Sequence, residues 1–500
     1  MRFCRSALHG RRLLVMLPVF ALMMILGARA AMAVELLNVA VSEIVLVKNQ
    51  PETKHGYALF RFEAENKGKV KRKVTMRIPE GNYGSGDVAL DSVTKTVEIN
   101  PGETVYIDLY MPPVEVNGFG AMLTVDNRAA SFSLSSSFNH VLTSYSMNPV
   151  ILCDQNISNS LCDSLDSRFG GNAVARSAVP TAQWPSSWLF YSRYDAVVLS
   201  SEIYEESPAG VRAALSDYLA AGGCLVITDP SSKLPRELQK YANQLLGPGK
   251  LICTPDRLNS SQFNDIQTRV NLWDRMDTDS AMSRMPLVER KEVPVRLLSL
   301  GLLGYAVVIG PGLQFVLKRK RRRIWILWII PVVSLGICVF AALWSYFSEG
   351  VYGHARARAV VFVDQQNDRM TTTGLFGYYS PLTDGYGLTF SGDTVLQPQW
   401  RSLDRYDRHL GEDRSLAIDW SGGQRFTHGW LQAKTPIFFK LWQVEHRREK
   451  LMVSFAADGS CSVTNGLGSD VGNLWLKARD GKMYYAEKVE AGAKATLERK

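Results

Sequence analysis

Residues 207–230, SPAGVRAALSDYLAAGGCLVITDP, contain a complete helix-to-strand unit. The first two residues supply a helix cap and a first-turn proline, and Gly222 and Gly223 end the helix before an apolar strand begins at Cys224. Two apolar segments, NPVILCDQN and YDAVVLSSE, precede this unit and are separated from each other by a helical pattern. Strands that alternate with helices predict a parallel sheet, so residues 148–255 are predicted to form a doubly wound α/β domain.

The region before this domain has a different pattern. Residues 34–147 contain short alternating segments, such as VAVSEIVLV, YALFRFEAEN and TVYIDLYM, which are separated by Gly, Asn and Pro turns. Such spacing predicts an antiparallel β-sandwich. The stretch NPGETVYIDLYMPP, residues 100–113, resembles immunoglobulin-like modules of bacterial surface proteins.

The last part of the chain, residues 348–500, is also predicted to be a β domain, with segments such as ARAVVFVDQQ, KLMVSFAADG and GKMYYAEKV. Its stretch SVTNGLGSDVG, followed later by EAGAK, echoes ENKGKVK followed by NPGET in residues 34–147. The echo suggests that one immunoglobulin-like module is used twice.

Residues 1–33 have the form of a signal peptide. Arginines precede an apolar run that ends in Ala31-Met32-Ala33, a motif typical of signal-peptidase sites. An uncleaved N-terminal anchor is the alternative interpretation. Either one predicts that the following domain is exported.

Two long uncharged stretches follow a polar connector at residues 256–296. They occupy residues 297–317 and 324–347, and each is about long enough to cross a bilayer as a helix. The basic loop between them, residues 318–323 (KRKRRR), is predicted to stay cytoplasmic. The sequence therefore predicts a protein of the bacterial inner membrane with two transmembrane helices and with its N-terminal and C-terminal domains in the periplasm.

The positive net charge is concentrated in these two targeting segments. Residues 1–33 carry five arginines and residues 318–323 carry six cations, so subtracting 11 from the net charge of +9 leaves about −2 for the remainder. A basic surface for nucleic acid is therefore not expected.

Residues 148–255 are similar to the glutamine-amidotransferase-like, flavodoxin-type domains of bacterial exported proteins, through the motifs W-x5-YDAVVLS and AAGGCLVI. Amidotransfer needs a cysteine on a strained turn and a histidine base. Cys224 lies in a predicted strand instead, and the sequence has no histidine between His140 and His354. We therefore assign no catalytic residue.

Three carboxylates form the candidate ligand site. Asp154, Glu202 and Asp229 follow three predicted strands, and doubly wound sheets bind ligands at the carboxyl ends of their strands. Together they could bind Mg²⁺ or a sugar hydroxyl. The alternative is that they cap turns and helices.

The cysteines suit an oxidising compartment, and Cys153 with Cys162 is the favoured disulfide. Buried free cysteines are the alternative. No cysteine or histidine spacing indicates a metal site, and no cofactor is expected.

The order of these segments resembles a group of uncharacterised bacterial inner-membrane proteins with an amidotransferase-like domain, immunoglobulin-like modules and a two-helix hairpin. That likeness implies an accessory of an envelope transport or assembly system. Because no nucleophile, base pair or phosphate loop stands out in the sequence, we expect a non-enzymatic, membrane-anchored envelope scaffold or accessory that binds protein partners or a glycan. The alternative is a membrane-tethered hydrolase or transferase that acts through the strand-end carboxylates.

Overall fold

The protein is described here by a computed structural model, in which strands and helices are numbered in chain order. The structure describes residues 34–48, 53, 55–79, 89–113, 120–134, 148–228, 238, 245–246, 248–254, 258–274, 278–287, 295–312, 315, 326–349, 352–382, 385–399, 415–456 and 459–500. The predicted signal peptide and the basic loop at residues 318–323 lie outside the described residues.

The N-terminal part contains a four-stranded antiparallel sheet. Its spatial order is β1 (Val34–Leu36), β2 (Val39–Ile44), β4 (Ala58–Asn66) and β7 (Thr104–Met111). Buried and less buried residues alternate along β2, as expected for a strand with one face on the core.

A seven-stranded sheet joins the two ends of the chain. Its spatial order is β18 (Leu388–Phe390), β21 (Gln424–Phe426), β20 (Ser415–Asp419), β6 (Ala89–Ile99), β5 (Arg72–Pro79), β8 (Gly120–Val125) and β9 (Arg128–Ser133). The pairing of β6 with β20 is parallel. Strands from the N-terminal and C-terminal regions thus share one sheet.

One hydrophobic core spans this junction. Phe62 of β4, Met76 of β5 and Phe426 of β21 all belong to it and are fully buried. Burial of each such side chain contributes about 1.5–3 kcal/mol. Trp420 reinforces the junction by donating its indole N–H to the Tyr110 carbonyl oxygen at 2.8 Å.

The central sheet has parallel strands in its middle. Its spatial order is β14 (Leu245–Leu246), β15 (Gly249–Thr254), β13 (Cys224–Thr228), β12 (Ala196–Ser200), β10 (Ile151–Cys153), β11 (Val174–Ser177) and β3 (Val47–Lys48). The pairs from β15 to β11 are parallel, whereas β14 and β3 add antiparallel edges. The last strand, β3, comes from the N-terminal region and ties it to this sheet.

Three helices lie between strands of this sheet, namely α1 (Asn159–Arg168), α2 (Ser201–Glu206) and α3 (Ala209–Ala220). Two more, α4 (Ser260–Asp274) and α5 (Thr278–Ser283), follow its last strand in the chain, β15. Two 3₁₀ helices, Thr181–Gln183 and Trp188–Arg193, lie between β11 and β12.

The helix predicted after Ser207 is present as α3, and Gly222 follows it with a positive φ of 118°. Ser207 does not cap α3, however. Its hydroxyl donates to the Ile203 carbonyl oxygen at 2.6 Å and closes α2, because Pro208 separates it from the first residue of α3.

A four-stranded antiparallel sheet packs against α3. Its spatial order is β16 (His354–Asp364), β17 (Arg369–Tyr379), β22 (Ile437–His446) and β19 (Thr394–Gln399). Arg369 Nε lies 3.0 Å from Asp217 Oδ1, and Thr371 Oγ1 donates to the Ala220 carbonyl oxygen at 3.2 Å. These polar contacts fix this sheet to the α/β part.

The chain ends in a five-stranded sheet, in the spatial order β23 (Leu451–Phe455), β24 (Cys461–Asn465), β27 (Lys494–Arg499), β26 (Met483–Val489) and β25 (Val471–Lys477). It has a small hydrophobic core of its own, formed by Cys461, Val463, Tyr484 and Leu497.

One helix lies in each of the two predicted transmembrane segments. The first gives α6 (Val295–Val307), which has 13 residues, about 20 Å at 1.5 Å per residue, and passes into a π-helical turn that contains Pro311. The second gives α7 (Ile326–Glu349), which contains Pro331.

Across the described ranges, no helix combines the length and the apolar character that a membrane crossing requires. The predicted fold class, with its two transmembrane helices, is therefore wrong. The predicted localisation in a bacterial inner membrane depended on those helices and is corrected with it.

Candidate functional site

Asp154 lies directly after β10, where the parallel sheet ends. Its Oδ1 accepts a hydrogen bond from the Asn156 backbone N at 2.9 Å, and its own backbone N donates to the Val198 carbonyl oxygen at 3.0 Å. The side chain is buried, and this burial raises the pKa of the carboxyl group. The carboxylate therefore shapes the turn after β10.

Glu202 lies in the first turn of α2, and its side chain is exposed. The cap of that helix is Ser200, whose Oγ accepts from the Ile203 backbone N at 3.2 Å. Asp229, the third predicted carboxylate, lies outside the described residues. Among the residues that the structure describes, no group of three His, Cys, Asp or Glu side chains is arranged to hold a metal ion.

The thiols of Cys153 and Cys162 lie beside each other, the first at the end of β10 and the second in α1. Both cysteines are free and buried. A hydrogen bond from Cys153 lowers the pKa of the Cys162 thiol, and the cationic Arg176 lowers it further. The same bond raises the pKa of Cys153. The disulfide between them stays a prediction.

A buried acid–base pair that the sequence interpretation missed joins the N-terminal region to the α/β part. His55 Nε2, just before β4, lies 3.4 Å from Asp195 Oδ1, just before β12. The other oxygen of this carboxylate, Oδ2, accepts from the Val150 backbone N at 2.9 Å. The Asp195 side chain is 1% exposed.

Burial controls the protonation of this pair. It raises the pKa of Asp195 to about 7. Burial also lowers the pKa of His55 to about 3, and the nearby cations Arg193 and Lys440 act in the same direction. Burial therefore favours the uncharged form of both groups.

Ser192, which lies close to Asp195 in the sequence, uses its hydroxyl group in structural hydrogen bonds. Ser192 Oγ donates to the Leu189 carbonyl oxygen at 2.6 Å and accepts from the Tyr57 backbone N at 3.0 Å. The Tyr57 hydroxyl in turn accepts from the Leu396 backbone N at 3.1 Å and contacts Gln424. These bonds connect three distant parts of the chain, so the cluster acts as an internal junction.

Strand β16 is exposed along almost its whole length. It lies at the end of its sheet, and its first ten residues are exposed on both faces. Val360 is 58% exposed and Val361 is 47% exposed. A strand at a sheet edge presents a row of backbone N–H and C=O groups, which makes β16 a candidate protein interface.

Comparison with known proteins adds little to this geometry. No family model matches the chain, and no curated protein matches it. Among solved structures, a cycloisomaltooligosaccharide glucanotransferase from Paenibacillus sp. is 9% identical with a TM-score of 0.18, over 37% of this chain and 27% of that one. A β-glucuronidase from Bacteroides uniformis is 11% identical with a TM-score of 0.14, over 46% and 25%.

The chain thus spans about a quarter of the length of each of these two enzymes. Likenesses with such TM-scores carry no argument about fold or activity.

Proposed function

We propose that this protein is a non-enzymatic scaffold, an accessory of a larger assembly, that binds protein partners through β16. The observation that carries the proposal is the exposure of this 11-residue edge strand, which includes the apolar run from Val360 to Val363. Exposed edges with apolar side chains are templates for pairing with another chain. Anchoring in an inner membrane is not part of this proposal.

The geometry of the polar groups favours binding over catalysis. Asp154 serves a turn, and Glu202 points into solvent at the start of α2. The acid–base pair of His55 and Asp195 is buried inside the protein, where a substrate has no access. A hydrolase or transferase needs its acid and base within reach of a bound substrate.

The test is site-specific photo-crosslinking in the source cells. A photoreactive phenylalanine analogue replaces Val361 of β16 or, as the control, the exposed Tyr386, which is 81% exposed and lies outside the strands. We expect discrete protein adducts from position 361 and none from position 386. Val363→Lys should suppress the adducts at position 361, because a lysine on the edge disfavours pairing.

Adducts of equal yield at the two positions, or none at position 361, would refute the proposal. A double carboxylate variant tests the enzymatic alternative against the scaffold. Asp154→Asn combined with Glu202→Gln should leave the adducts at position 361 unchanged.

A further inference from the structure

The side chains of β16 alternate between the two faces of its sheet. One face carries Arg356, Arg358, Val360, Phe362 and Asp364, and the other carries alanines followed by Val361 and Val363. The cations lie in the first half of the strand and the anion lies at its end. Within the described chain, β17 is the strand that pairs with β16, which leaves the opposite edge open.

This order of side chains is complementary to itself in an antiparallel pairing. If a two-fold axis passes through Val360, then Arg356 of each copy faces Asp364 of the other, and Arg358 faces Phe362. Opposite charges that face each other across two strands stabilise the pairing, and a guanidinium on an aromatic ring adds a cation–π contact.

On the other face of β16, the side chains of the two copies complement each other in size. In the same register Ala357 faces Val363, and Ala359 faces Val361, so each small side chain meets a branched one. The side chain of Asp364 is held at the end of the strand, because its Oδ1 accepts a hydrogen bond from the Gln366 backbone N at 3.0 Å.

Two other self-pairings lack this match. An axis two residues earlier would place Arg358 directly against its own copy, and a parallel pairing would set each arginine beside its equivalent. Like charges directly opposite each other are destabilising. The charge pattern therefore disfavours these two arrangements.

We infer that the occupant of this edge is a second copy of the chain, paired antiparallel along residues 356–364 about an axis at Val360. The inference rests on the proposed scaffold function and names its partner at β16. The interface is isologous, so it closes after two copies and covers the edge in both. The two four-stranded sheets become one continuous sheet across the dimer.

Cysteine crosslinking of the full-length protein tests the register. The exposed Cys338 is first replaced by serine, which removes a competing thiol. In this background Val360→Cys should give a disulfide-linked dimer under mild oxidation, because directly opposite Cβ atoms are about 4.5–5.5 Å apart. Ala359→Cys alone should stay uncrosslinked, whereas a mixture of Ala359→Cys with Val361→Cys should crosslink.

Sedimentation equilibrium measures the affinity without crosslinking. Arg356→Glu changes two ion pairs per dimer into repulsive pairs, so we expect the dissociation constant of the dimer to rise about tenfold or more. Tyr386→Glu, an added acid away from β16, is the control and should leave it unchanged.

Failure of Val360→Cys to crosslink, a monomer at every protein concentration, or crosslinking by Ala359→Cys alone would overturn the inference. Its failure can be distinguished from that of the scaffold proposal. A monomeric protein whose position 361 still gives photo-adducts with a different protein removes the second copy and retains the scaffold. The absence of any adduct at position 361 removes both.

Discussion

Asn66 and Asn465 occupy equivalent places in two β modules at opposite ends of the chain. Each side chain is fully buried, and each amide donates a hydrogen bond of 3.0 Å to a strand-end carbonyl oxygen, of Ile99 in one module and Val489 in the other. Each also holds its own turn, since Asn66 Oδ1 accepts from Gly68 N and Asn465 Oδ1 accepts from Leu467 N, both at 3.0 Å.

The backbone repeats the same pattern. The carbonyl oxygen of Asn66 accepts from Gly102 N at 2.7 Å, and that of Asn465 accepts from Gly492 N at 2.8 Å. Both glycines have a φ of 73°. The sequence echo between ENKGKVK…NPGET and TNGLGSD…EAGAK therefore corresponds to a repeated turn architecture.

Removal of the amide should destabilise each module. Asn465→Ala removes the side-chain donor to the Val489 and Ser469 carbonyl oxygens, so we expect a loss of about 1–3 kcal/mol of unfolding free energy in the C-terminal sheet. Hydrogen exchange of the amides in β24 to β27 measures this loss. Faster exchange in β5 or β10 instead would contradict an effect confined to this module. Glu487→Ala, at an exposed position of β26, is the control.

The sequence predicted the helix–strand unit of α3 and β13 because its signals, a helix start, a glycine stop and an apolar strand, are adjacent in the chain. The stop at Gly222 requires a positive φ, which only a few residue types adopt easily. The pairing of β6 with β20 is different. Alternation along β6 indicates that it has two faces, but it does not indicate which distant strand lies beside it.

The buried pair of His55 and Asp195 was missed for a related reason. Each residue is polar and stands just before a strand, a position where solvated turn residues are common. Only the packing of the N-terminal region against the 3₁₀ helix Trp188–Arg193 buries them, and a single sequence contains no signal for that contact. The sequence interpretation grouped the carboxylates because each follows a predicted strand. In the structure Asp154 bonds within the turn after β10, whereas Glu202 lies in the first turn of α2.

The buried pair should give opposing pH dependences of stability. The folded-state pKa of Asp195, about 7, lies above its ordinary value of 3.8, so this group's contribution to stability is full below about pH 4 and is lost as the pH rises through 7. The folded-state pKa of His55, about 3, lies below its ordinary 6.5, so its contribution is lost as the pH falls from 6.5 through 3. Between about pH 4 and 6.5 the two slopes oppose each other in the native protein.

Single variants should reveal each slope. In Asp195→Asn the unfolding free energy should rise with pH between 3 and 6.5, and in His55→Gln it should fall as the pH rises from 3.8 to 7. The full span corresponds to about 4 kcal/mol for a shift of about three units. Urea unfolding over this pH range provides the measurement, and variants whose pH profiles run parallel to that of the native protein would contradict the prediction.

A methyl group at Gly56 should be far more damaging than one at Gly102. The two glycines have nearly the same positive φ, 72° and 73°, so the backbone strain of an alanine, about 1–2 kcal/mol, is shared. A Cβ at Gly56 would lie 2.3 Å from the Arg193 backbone N, whereas nothing lies within 4 Å of one at Gly102. We therefore expect Gly56→Ala to lower the unfolding free energy by at least about 2 kcal/mol more than Gly102→Ala does. Equal losses in thermal or urea unfolding would show that the N-terminal region does not pack on Arg193 this closely.

The neighbouring thiols of Cys153 and Cys162 should be able to form a disulfide without unfolding of the protein. The lowered pKa of Cys162 increases its thiolate fraction, and the thiolate is the form that attacks a disulfide or an oxidant. Oxidised glutathione should therefore link the two cysteines and close a short loop between β10 and α1. The chain-entropy model gives about 3 kcal/mol of stabilisation for a loop of this size, before any strain in the native state is counted.

Peptide mapping of the alkylated, non-reduced protein identifies the link, and Arg176→Gln should slow its formation because that change removes the cation beside Cys162. Cys253, which is partly buried and whose pKa is raised by burial, is the internal control and should react more slowly. Preferential oxidation of Cys253, or a rate that does not respond to Arg176→Gln, would contradict this account of the pair.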